Sequence, residues 1–171
     1  MNLLSLQVFI MMILMLLPMS LLAQDKSSLC NEFQHHLNQR LGLHSYVVEE
    51  QEIQREDFNF IVPNIDVDGD KIKDEVLLFR TGSASIIAPD DSSVTLILSS
   101  TGKRFTVEMQ RFYIIFYKSK YYIVASNWSS EQGPIFVDIK SMSRSGIQQL
   151  CSYKCGLKDG SCGPRQAYKD K

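Results

Sequence analysis

The stretch Asp66-Val67-Asp68-Gly69-Asp70-Lys71-Ile72-Lys73-Asp74 puts carboxylates at positions 1, 3, 5 and 9 and leads directly into the apolar run Val76-Leu77-Leu78-Phe79. Carboxylates gathered this closely repel one another unless a positive charge sits among them. A hard ion such as calcium takes about six to eight oxygens. Alternating Asp in a curled loop turns several carboxylates inward, and the carbonyl at position 7, Ile72, adds another oxygen. The expected ligands are therefore Asp66, Asp68, Asp70, Ile72 and Asp74, with calcium as the cofactor. Position 12 is Leu77 rather than a bidentate Glu, and a strand-like run follows instead of a helix, so this is not an EF-hand.

Other chemistry is sparse. The chain has three His and no G-x-S-x-G sequence, which leaves little from which to assemble a nucleophile, a base and an orienting acid. His35 and His36 are adjacent, so on a helix they point about 100° apart and do not share one ion. They are expected at solvent or a cap, and His44 is expected in a turn. Basic and aromatic residues interleave in RFYIIFYKSKYY, but that alternation suits two paired strands, and a pI near 6.3 provides no general attraction for phosphate. The chain is expected to be neither an enzyme nor a nucleic-acid binder.

The loop resembles the calcium loops of FG-GAP and VCBS-type repeats, D-x-[DN]-G-D-G-x-x-D followed by an apolar strand. About fourteen residues carry the resemblance, which implies that Asp66, Asp68, Asp70 and Asp74 are ligands and that Val76 to Phe79 form the strand. The departure is Lys71, where the family has a Gly because the backbone needs a positive φ. A non-Gly residue there costs about 1 kcal/mol.

Around this loop the chain divides in two. Residues 1–23 contain 18 apolar side chains, five of the seven Met and no charge, and they close on Pro18, Ser20 and Ala23. They are expected to be a signal peptide, leaving 24–171 as one exported domain without stable membrane insertion. That remainder keeps 16 of the 17 aromatics, enough for one core. Its four cysteines, Cys30, Cys151, Cys155 and Cys162, form two disulfides in an oxidising compartment. Of the three possible pairings we favour Cys30–Cys151, tying the domain's ends, with Cys155–Cys162 closing a Gly-rich loop. A zinc site at Cys151 and Cys155 is the alternative, but it lacks a second close Cys/His pair.

Leu29, Phe33, Leu37 and Leu41 recur every four residues before Gly42, which predicts a helix over 26–41. From Tyr46 the period becomes that of strands: runs at 46–48, 58–62, 75–80, 94–99, 104–109, 112–118, 121–126 and 134–139, and a last one near 147–150. Short connections at Ser100-Thr101-Gly102 and Ser119-Lys120 predict hairpins. The fold class is mainly β: an antiparallel meander, as an open barrel or propeller-like sheet, with one N-terminal helix.

Residues 24–91 carry net −8 and residues 92–171 net +7. Either the strands interleave and these charges mix, or an acidic face awaits a basic partner. The long connection Thr81 to Ser93 holds Ile86 and Ile87 among small residues, and Trp128 follows a strand as the only Trp. These three are the candidate partner contacts. With the exported context, this make-up resembles that of small periplasmic lysozyme inhibitors and immunity proteins. It implies a periplasmic or secreted protein that occludes a peptidoglycan hydrolase or toxin effector. The alternative is a calcium-stabilised envelope or adhesion scaffold with no enzyme partner.

Overall fold

The computed structural model describes residues 26–39, 42–55, 57–80, 92–128, 133–156 and 160–165. The proposed leader, Ile86 and Ile87 lie outside them, as does the side chain of Trp128.

Helix α1 covers residues 26–37, and a 3-10 turn follows at Gly42–Tyr46. Among the described residues ten strands succeed it: β1 Gln51–Arg55, β2 Phe58–Ile65, β3 Asp74–Phe79, β4 Ser93–Leu98, β5 Lys103–Glu108, β6 Arg111–Tyr117, β7 Lys120–Trp128, β8 Ile135–Ser143, β9 Gly146–Cys155 and β10 Cys162–Pro164. They form two antiparallel sheets in simple chain order, β1-β2-β3-β4-β5 and β10-β9-β8-β7-β6. The meander is thus split into two sheets and does not close into a barrel.

Period-2 alternation explains the layering. In β6, Ile114 joins a core shared with Val62, Val76, Leu78, Val94 and Leu96 of the first sheet, while its neighbour Ile115 joins Phe33 and Leu43 on the opposite face. Ile123 and Val124 divide in the same way in β7. The second sheet is therefore buried on both sides, by the first sheet and by α1, so its central strands read as nearly continuous apolar runs.

The helix is held by more than its stripe. Cys30–Cys151 and Cys155–Cys162 are both disulfide-bonded, and no free cysteine remains for zinc. The Tyr153 hydroxyl donates to the Cys30 carbonyl at 2.6 Å, and Asn38 brackets Cys162 by donating to its carbonyl and accepting from its N–H. Glu32 accepts from Lys118 and from the Tyr117 hydroxyl, which hold its carboxyl below its ordinary value of 4.5. This tie contributes stability above that ordinary value and loses it as pH falls through the lowered one.

Four details differ from expectation. The helix ends at residue 37, because Gln39 N–H bonds to the His36 carbonyl, a tightening, and Gly42 then takes φ +52°. The run 46–48 is no strand: Tyr46 ends the 3-10 turn, and Val47 makes only an isolated bridge to Ile115. β1, with its polar sequence Gln-Glu-Ile-Gln-Arg, and the three-residue β10 are edge strands, which need partners for their backbone but few apolar side chains. The last run extends from 147–150 to Gly146–Cys155.

Lys118 and Ser119 connect β6 to β7 with φ of 48° and 61°, the two positive values of a type I′ hairpin turn. Neither is Gly, Asn or Asp, so the turn carries strain. We expect Ser119→Gly to stabilise the protein by about 1 kcal/mol, the relieved strain exceeding the extra freedom of the unfolded chain. Thermal unfolding should show a Tm roughly 2–4 °C higher.

Candidate metal centre

The loop between β2 and β3 is organised by its own carboxylates. Asp66 accepts from Gly69 N–H through Oδ1 at 2.8 Å and from Lys71 N–H through Oδ2 at 3.0 Å. Asp68 Oδ1 accepts from Asp70 N–H at 3.2 Å, and Asp70 Oδ1 from Ile72 N–H at 2.8 Å. These short-range bonds curl the backbone at each Asp, as Asx turns do. Gly69 and Lys71 take φ of 78° and 70°, so Lys71 occupies the left-handed conformation for which the resembled loops use Gly.

Asp74 has a second task. Only 4% exposed, it accepts from Val67 N–H at 2.9 Å through Oδ2 and from Ser99 N–H at 3.0 Å through Oδ1. It thereby clamps the loop's entrance and the β4–β5 turn to the start of β3.

One oxygen each of Asp66, Asp68 and Asp74 lies within 4.8 Å of the others. Oxygens bound to one calcium at about 2.3–2.6 Å are at most about twice that distance apart, and the three meet that limit. Asp70 stands outside this group. Its Oδ2 lies 3.9 Å from Nη2 of Arg144, and Ile72 keeps an exposed side chain in the same loop.

Arg144 is the residue that sequence reasoning missed. It sits in the β8–β9 turn and its Nε donates to Asp68 Oδ2 at 2.9 Å. This bond, more than the Asp70 N–H, holds the Asp68 carboxyl below its ordinary range. The pair is separated by 76 positions, and no local spacing could have announced it. A guanidinium therefore already supplies part of the positive charge that the cluster requires.

The histidines serve packing. His36 meets the Tyr117 hydroxyl at 3.3 Å and stands edge-on to Tyr46, so it is not at free solvent; His35 meets Gln39, and His44 stacks on Tyr113. Backbone pairing places Trp128 at the end of β7 opposite Ile135. Among the described residues no helix is long and apolar enough to cross a membrane. No family model, curated protein or solved structure matches the chain.

Proposed function

We propose that this chain is an exported binding module, held in shape by two disulfides and one calcium ion, that acts by occluding a basic hydrolase of the cell wall. The observation that carries the metal assignment is the convergence of Asp66, Asp68 and Asp74 in a loop whose Lys71 keeps a positive φ. The ion's role is structural: it would join the loop to the clamp already made by Asp74. Exclusion of a hydrolase draws its support from charge. The strands do not interleave, so segment 51–108, which forms the first sheet, carries net −5, and segment 111–165, which forms the second, carries net +5. An acidic sheet attracts a basic enzyme and speeds its docking.

Isothermal titration with calcium tests the metal. We expect saturation at about 10⁻⁴ to 10⁻³ M, the range of extracellular modules, and a loss of at least roughly tenfold in Asp68→Asn. Arg144→Gln should bind calcium more tightly than the wild type, since it removes the resident competitor for Asp68. Equal heats from the wild type and an Asp66→Asn, Asp68→Asn double variant end the calcium assignment. For the partner, inhibition of muralytic activity by the purified protein is expected; retention on purified cell wall without inhibition points instead to an envelope scaffold.

A further inference from the structure

An edge strand presents main-chain N–H and C=O groups that a further strand can take up, and the sheet edges here are guarded unequally. β1 is interrupted by a register shift, and β10 is three residues long and ends on Pro164. The edge of β6 is covered: the Phe112 carbonyl accepts from Arg80 Nη2 at 3.2 Å and the Ile114 carbonyl from Val48 N–H at 3.0 Å. β5 is six residues long and keeps an unbroken register with β4, with no bulge, proline or covering segment among the described residues. Its pairing fixes which groups are free. Met109 N–H bonds to the Ser92 carbonyl at 2.9 Å, so in the same register Val94–Val107, Leu96–Phe105 and Leu98–Lys103 are the hydrogen-bonded pairs. Arg104, Thr106 and Glu108 therefore turn their N–H and C=O away from β4, and no described residue bonds to those main-chain groups.

The side chains select the occupant. Arg104, Thr106 and Glu108 are exposed on one face of β5, and Phe105 and Val107 are half-buried on the other. Neither Arg104 nor Glu108 is ion-paired with a described residue; the Arg104 guanidinium lies 5.7 Å from the centre of the Phe58 ring, which leaves its charge unneutralised. Charges on an edge usually deter pairing, but two of opposite sign four residues apart complement their own antiparallel copy. A two-fold axis through Thr106 opposes Arg104 to the second copy's Glu108, Glu108 to its Arg104, and Phe105 to its Val107. The same axis opposes residues whose main-chain groups are free, giving about six hydrogen bonds, two for each opposed pair. An axis through Arg104 or Glu108 opposes like charges, and one through Phe105 or Val107 opposes groups already bonded to β4. Each copy has a net charge of −1, so little long-range repulsion resists the encounter. We propose that the protein forms a two-fold dimer through β5, which joins two copies of the first sheet into one continuous antiparallel sheet. The contact closes on itself, because each copy's β5 is then paired on both sides, and assembly stops at two.

Sedimentation equilibrium of the full exported chain in EDTA tests the dimer, so that neither calcium nor an enzyme partner enters the outcome. A contact along one short edge, below about 1,200 Å², belongs to the weak class, and the expected result is a monomer–dimer equilibrium with a Kd of about 10–1,000 µM. Glu108→Lys should weaken it at least roughly fivefold with the monomer's Tm unchanged, since one substitution turns two attractive pairs repulsive. Arg104→Glu should do the same, and the exchanged variant Arg104→Glu, Glu108→Arg should restore the Kd to within about twofold. Amide hydrogen exchange reads the register directly. Raising the protein concentration should slow exchange at Arg104, Thr106 and Glu108, whose N–H groups point outward, and leave Phe105 and Val107, already bonded to β4, unchanged. A monomer throughout that concentration range, association beyond a dimer, a dimer that Glu108→Lys leaves intact, an exchanged variant that stays monomeric, or slowing confined to other residues each overturns the proposal.

Discussion

Gly146→Ala is expected to lower the Tm by roughly 6–12 °C. Two costs coincide at this position. Gly146 has φ +106°, a conformation that L side chains rarely adopt, and a Cβ built there lies 2.6 Å from Cδ1 of Phe105. The first costs about 1–2 kcal/mol and the second, which forces a ring in the inter-sheet core to move, about 1–3 kcal/mol. Phe105 belongs to β5 and Gly146 opens β9, so the close approach is a point where the two sheets touch. The double variant Gly146→Ala, Phe105→Leu should recover the steric share but not the backbone share, about half of the loss. A Tm for Gly146→Ala within 2 °C of the wild type, measured by differential scanning calorimetry (resolution about 0.5 °C), would falsify this account of the contact.

The second large effect is the loss of Cys30–Cys151. Its two residues are 121 positions apart, against seven for Cys155–Cys162. In the chain-entropy model the long cross-link contributes about 5 kcal/mol and the short one about 2.5 kcal/mol. Domains of this size have about 5–15 kcal/mol in total, so replacing both Cys30 and Cys151 with Ala leaves a marginal protein, whereas the Cys155, Cys162 pair variant remains folded. Urea denaturation of the two double variants checks the order: a midpoint for the Cys30, Cys151 variant equal to or above the other's contradicts it. The loss should fall first on α1, which is otherwise tied to the second sheet by Phe33, the Tyr153 hydroxyl and the Glu32 and Asn38 contacts.

What could be read in advance followed from local physics. The strands of the second sheet were legible because burial on both faces makes residues such as Phe112 to Tyr117 continuously apolar, and the hairpins because their connections are too short for anything but antiparallel neighbours. β1 was hidden because an edge strand satisfies its neighbour through backbone groups that every residue has. The Asp loop was legible as chemistry, including the positive φ at Lys71. Its long-range partners were not, because Arg144 and Ser99 reach it from turns whose sequences serve their own hairpins. The division of −8 and +7 became meaningful only once the sheets proved to be consecutive in the chain.

That consecutive arrangement has a consequence for how the chain matures. Each sheet closes from neighbours in sequence, so the first can assemble while the second is still emerging, and little loop-closure entropy is spent in either. Helix α1 is the exception. It is made first, yet its apolar stripe and Cys30 wait for β9, the strand that carries Cys151. Until then the N-terminal segment is a sticky, thiol-bearing tail on a half-built molecule, and it can be sealed only once β9 has emerged.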